Sequence, residues 1–161
     1  METKAVFLLI SFLSITAYLA LVVLKHGITP SISDSYYKLK QPWLFSIALW
    51  VMVIAMFPVA VESSGLFFFA GAAIGFVGAA PNFKEGGRME YRVHAYGSIS
   101  GVSLIYLAIG FGLDLWWVSL PMMVLVALVY SEKVKLNNYI WWIEVVTIYL
   151  TQLLLLFKVV L

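Results

Sequence analysis

Residues 43–80 read WLFSIALWVMVIAMFPVAVESSGLFFFAGAAIGFVGAA, two apolar runs parted only by Glu62-Ser63-Ser64-Gly65. A helix needs about 20 mostly apolar residues to cross the hydrocarbon core of a bilayer. The runs at 43–61 and 64–80 come close to that length. The polar/apolar alternation of a membrane β-barrel strand is absent. The stretch therefore reads as a tight helical hairpin inside a membrane. Pro42 and Trp43 suit its start, as a favourable first turn and an interfacial aromatic. Pro58 is expected to kink or shorten the first of the two helices.

Outward from this hairpin the pattern repeats. Further apolar segments fall at 5–24, 95–113, 115–130 and 138–157, so the expected fold class is all-α. It is a polytopic integral membrane bundle of six transmembrane helices with short loops, forming one domain over 1–161. Segment 5–24 is too long for the core of a secretory signal and lacks a small-residue cleavage site, so it reads as a retained span. Composition agrees: 63% of the 161 residues are hydrophobic, 11% are charged and the mean hydropathy is +1.00. A soluble domain of this size has too much surface to hide that apolar excess. With a net charge of +2 and scattered basic residues, a nucleic-acid partner is not expected. The chain has no cysteine, which excludes disulfides, thiolate metal sites and a cysteine nucleophile.

Lysine and arginine set the expected orientation. Lys25, Lys38 and Lys40 follow the first span; Lys84, Arg88 and Arg92 follow the third; Lys133 and Lys135 follow the fifth. Only Lys4 and Lys158 belong to the opposite side. The positive-inside bias then puts the three polar loops in the cytoplasm and both termini outside.

Glycine stripes carry the packing expectation. Gly97, Gly101, Ala108 and Gly112 share one face of the fourth span, and Gly71, Gly75 and Gly78 share one face of the third. Small residues let helix backbones approach in lipid. The two stripes are expected to face each other and to bring Asn82 near His94. In the sixth span Asn137, Glu144, Thr147 and Thr151 form a polar stripe, with Glu144 about 10 Å beyond Asn137 at about 1.5 Å per residue. An ionisable group there costs about 2–3 kcal/mol or more, so a carboxylate needs a partner, water or a proton. A buried Glu144 is expected either to stay a neutral acid or to be held ionised by a cation such as Arg92 or a protonated His94; the alternative is a shallow Glu144 snorkelling beside Trp141 and Trp142.

The polar segment 28–42, ITPSISDSYYKLKQP, completes the candidate site. The residues expected to line a polar cavity are Ser31, Ser33, Asp34, Asn82, Arg92, His94 and Glu144. Three chemistries fit residue types within this set. A zinc site would use His26, Asp34 and His94, although no HxxxH or HExxH pair supports it. A haem between His26 and His94 rests on two lone histidines. Nucleophilic catalysis would use Ser31 or Ser33 with His94 and Asp34, without a GxSxG elbow. Gly86-Gly87 is a candidate anion nest for a lipid phosphate, among loop residues of mixed sign. No cofactor is expected.

The SISDSYY segment (Ser31–Tyr37), the GAAPNF end of the third span (Gly78–Phe83) and His94 resemble a bacterial family of six-span membrane proteins of unknown function. That family is grouped with the eukaryotic DRAM and Sfk-like proteins. The resemblance implies a six-span architecture in a bacterial inner membrane and supplies no activity. External termini are a departure from what it implies. The serine, aspartate and triple-histidine zinc signature of the seven-span ceramidase and adiponectin-receptor superfamily is not met, since the chain has 2 histidines. The functional expectation is a binding or accessory protein whose cytoplasmic-side cavity takes a lipid headgroup or small amphiphile. An intramembrane lipid hydrolase, with or without metal, and a small proton-coupled transporter are the alternatives. Membrane lipids are the expected partners, and a homo-oligomer or a membrane partner protein stays open.

Overall fold

A computed structural model describes residues 2–130 and 138–160. Lys133, Lys135 and Asn137 lie outside the described residues. The chain forms helices α1 (Glu2–His26), α2 (Trp43–Ser63), α3 (Gly65–Ala79), α4 (Gly87–Leu107), α5 (Trp116–Tyr130) and α6 (Tyr139–Val160). A short 3-10 helix, Ser33–Tyr37, interrupts the α1–α2 connection, and a π-helical turn, Ala108–Gly112, continues α4. The described residues contain no strand, so the all-α expectation holds.

α1, α2, α4 with its π turn, and α6 are long and apolar enough to cross a membrane. α3 and α5 have 15 residues each, about 22 Å at 1.5 Å per residue, against about 30 Å of hydrocarbon. Pro58 does not shorten α2, which continues through it to Ser63. α4 starts at Gly87 and not near residue 95, because Arg88, Glu90 and Arg92 are adequate helix formers despite their polarity. Its entry is a tight turn: Gly86 N–H donates to the Asn82 carbonyl at 2.7 Å, and Asn82 N–H donates to Glu90 Oε1 at 2.8 Å.

Polar contacts fix which helix ends lie together. Lys4 pairs with Glu62, tying the start of α1 to the α2–α3 turn. Near the end of α6, Lys158 Nζ donates to the Gly112 carbonyl at 3.4 Å, and Gly112 in turn packs against Ser64. The start of α1 and the end of α6 therefore share an end of the bundle with the α2–α3 and α4–α5 turns. At the other end, Trp141 N–H donates to the Pro30 carbonyl at 3.2 Å, satisfying a donor in the first turn of α6 that has no partner in its own helix. Between the ends, Gln152 Nε2 donates to Ser11 Oγ at 2.9 Å, and Thr16 and Tyr149 hydroxyls meet at 2.9 Å, joining α6 to α1.

The glycines pack differently from the sequence expectation. On α4, a Cβ at Gly97 would lie 2.9 Å from the Ala73 carbonyl oxygen, and one at Gly101 would lie 2.6 Å from Ile74 Cδ1. These two glycines do admit α3. On α3, however, Gly71 and Gly78 face Val53 and Trp50 of α2, and Gly75 has open space. α3 is sandwiched, so its glycine stripe serves α2 while Ala73, Ile74 and Val77 meet the glycines of α4.

Candidate functional site

The site begins with the α1–α2 connection, which folds back into the bundle instead of lying in solvent. Asp34 N–H donates to Ser31 Oγ at 3.0 Å, and the Ser31 hydroxyl donates to Asp34 Oδ2 at 3.0 Å. This local exchange competes with regular helix and holds the first turn of the 3-10 helix. Thr29 Oγ1 donates to the Ser31 carbonyl at 2.7 Å. Ser35 is wholly buried, with its hydroxyl bonded to Tyr18 and to the Ile32 carbonyl. Each turn of this segment is thereby fixed by its own serine or threonine.

Ser33, between these two serines, reaches away from the segment. Its Oγ lies 2.8 Å from His94 Nε2, while His94 Nδ1 lies 2.8 Å from the Ala80 carbonyl oxygen. A carbonyl only accepts, so Nδ1 carries the hydrogen. In the neutral ring Nε2 is then an acceptor, and the Ser33 hydroxyl donates to it. The imidazole is buried beside two rings that lie nearly parallel to it, Phe83 at 4.3 Å and Phe45 at 6.4 Å.

A second group of contacts closes the segment over His94. Lys84 pairs with Asp34, and its backbone N–H donates to the Tyr37 hydroxyl at 2.7 Å. Tyr37 packs edge-on against Phe83 at 5.6 Å, and the Lys84 ammonium lies 5.4 Å from the Tyr37 ring. Partial burial pushes the Tyr37 hydroxyl above its ordinary value. It therefore stays a neutral phenol across the physiological range.

Glu144 enters from α6. Its Oε2 accepts the Ile32 backbone N–H at 2.6 Å. The expected pairing of Glu144 with Arg92 or His94 is not formed. α4 already runs through residue 92, and residues two apart on a helix point to nearly opposite sides. Arg92 is exposed while His94 is buried. Below Glu144, Thr147 Oγ1 and the Tyr106 hydroxyl meet at 2.6 Å, and Thr151 Oγ1 donates to the Thr147 carbonyl at 2.7 Å.

A narrow cavity of about 80 Å³ runs between α2, α3, α4 and α6 below the 3-10 helix. Met52, Met56, Ile74, Val102 and Ile148 are among its apolar wall residues, and Ser33 and Glu144 reach it from the loop end. Of the expected lining residues, these two line it. His94 stands behind Ser33. Ser31 and Asp34 hold the loop in shape. Asn82 contributes its backbone to the α3–α4 turn, with its side-chain oxygen buried and without a protein partner. Arg92 is outside the site.

Other chemistries fall away on geometry. Among the described residues no three His, Asp or Glu side chains form a metal-holding group, and His26 is exposed at the end of α1. The zinc set of His26, Asp34 and His94 is thus not assembled. Both nitrogens of His94 are engaged, which leaves none for a haem iron. The expected nest at Gly86-Gly87 lacks a free donor at Gly86, whose N–H donates to the Asn82 carbonyl at 2.7 Å, and the Glu90 carboxylate crowds the position a Gly86 Cβ would take.

Sequence reasoning missed the two backbone members of the site, the Ile32 N–H and the Ala80 carbonyl, which no side-chain pattern marks. Phe83 was visible within GAAPNF, but its stacking on His94 depends on the α3–α4 turn. Comparison with known proteins finds no matching family model, no matching curated protein and no matching solved structure.

Proposed function

We propose that this protein holds a single-chain amphiphile, with its tail between α2, α3, α4 and α6 and its polar end against the 3-10 helix. One observation carries this reading: a narrow apolar cavity ends on a hydroxyl, Ser33, and a carboxyl, Glu144. Ligand sites between helices typically combine apolar walls with a few convergent polar groups. The orientation proposed with it places this end in the cytoplasm of a bacterial inner membrane and both termini outside, on the lysine and arginine bias. The polar end of the ligand then faces the basic loops that carry Lys38, Lys40 and Lys84, which favours an anionic or polar headgroup.

Native mass spectrometry of the purified protein with added fatty acid and lysophospholipid tests the reading. Wild type is expected to retain one bound amphiphile. Val102→Trp, which fills the cavity from α4, is expected to retain none while keeping its helicity. Equal retention by both proteins would overturn the proposal.

A proton-coupled carrier is a second reading. It is favoured by Glu144 having a backbone N–H as its partner, with no cation paired to it among the described residues. Proton-driven uptake into liposomes that is lost in Glu144→Gln would support it, and uptake unchanged by that substitution would remove it.

A further inference from the structure

We propose that Ser33 is a nucleophile activated by His94, and that the substrate is a carboxylic ester of the amphiphile seated in the cavity. This rests on the amphiphile-binding reading and adds a reaction to it. Three serines occur within five residues, and the structure gives each a different task. Ser35 is committed to Tyr18 and the Ile32 carbonyl, and Ser31 to Asp34. Ser33 alone of the three is bonded to an imidazole, at 2.8 Å, within the reach a general base needs.

The polarity of that bond is set from behind. The Ala80 carbonyl fixes the hydrogen on Nδ1 at 2.8 Å, so the neutral ring presents its Nε2 lone pair to the serine. A backbone carbonyl here takes the orienting position that a carboxylate takes in Ser-His-Asp triads. Asp34 does not fill it, being paired with Lys84 and Ser31. Phe83 and Phe45 hold the ring plane. Ser33 also lines the apolar cavity, so an acyl chain lying there ends at its hydroxyl.

The step balances with water as the second reactant. Ser33 Oγ attacks the ester carbonyl as its proton passes to His94 Nε2. The bond from the acyl carbon to the alcohol oxygen breaks, and the alcohol leaves with the proton from Nε2. Water then attacks the acyl-Ser33 ester, giving a proton to Nε2. The acyl–Oγ bond breaks, and the proton returns to Ser33. One ester and one water become one carboxylic acid and one alcohol. His94 ends as it began.

An alkyl fluorophosphonate is the probe, applied to the full-length protein in detergent and mapped by peptide mass spectrometry. Wild type is expected to carry the adduct on Ser33. Ser33→Ala should lose it, while Ser31→Ala and Ser35→Ala retain it at Ser33. His94→Asn keeps a donor toward Ala80 and removes Nε2; its labelling rate should fall about 100-fold or more. No adduct on Ser33 in wild type, or wild-type labelling in His94→Asn, would overturn the proposal. Amphiphile retention by native mass spectrometry is read in the same samples. Wild type that binds amphiphile and is not labelled loses the reaction and keeps the binding site. A labelled protein that retains no amphiphile would overturn the assigned substrate.

Discussion

Glu144 Oε2 accepts the backbone N–H of Ile32 at 2.6 Å across 112 residues of chain. The bond joins the sixth helix to the loop after the first, one residue before Ser33. A carboxyl deep in α6 is thus part of what positions the 3-10 helix, and its removal tests that role directly. Glu144→Gln keeps an oxygen able to accept the same N–H, so it should change stability by less than about 1 kcal/mol. Glu144→Leu strands a buried donor and should cost about 1–3 kcal/mol. Thermal melts in detergent measure both. Hydrogen exchange across 30–37 should rise in the leucine variant alone. Identical melts for leucine and wild type would remove the anchor.

The α3–α4 contact gives a graded expectation. Gly97→Ala drives a Cβ against a backbone oxygen at 2.9 Å, which cannot rotate away, and should cost about 1–3 kcal/mol. Gly101→Ala meets the end of the Ile74 side chain and should cost less. Gly75→Ala meets nothing within 4 Å and should be neutral, or stabilising by about 0.5–1 kcal/mol through helix propensity. Equal melting temperatures across the three would contradict the close approach at Gly97.

The clasp between α1 and α6 should show as a pairwise coupling. Thr16→Val and Tyr149→Phe each remove one side of a 2.9 Å bond. In lipid such bonds average about 0.6 kcal/mol, so the double-mutant cycle should return a coupling of that order. A coupling near zero would mean that packing alone joins these helices.

Topology is directly accessible because the chain has no native cysteine. Cysteines at 38 and 88 should be shielded from an impermeant thiol reagent in intact cells, while positions 4 and 63 should react. Reaction at 88 from outside would invert the proposed orientation. The side of the bundle shared by both termini would be unaffected, since the Lys4–Glu62 and Lys158–Gly112 contacts fix it.

The sequence by itself determined the fold class and most helix positions, because hydrophobic length and turn residues act locally. The hairpin at Ser64-Gly65 and the polar stripe Glu144-Thr147-Thr151 are legible from spacing alone. Ser33, Asp34 and His94 stood out as polar groups beside apolar runs. Tertiary structure decided what each of them touches. The loop reading of residues 87–94 hid the fact that α4 turns Arg92 away from His94. The stripe Gly71-Gly75-Gly78 has no direction until α3 is placed between α2 and α4. Ser33 is separated from its two neighbouring serines only by where the 3-10 helix aims it. The partners of Glu144 and His94 are a backbone N–H and a backbone carbonyl. Every residue but proline offers both, so only the packing of distant segments selects the Ile32 N–H and the Ala80 carbonyl.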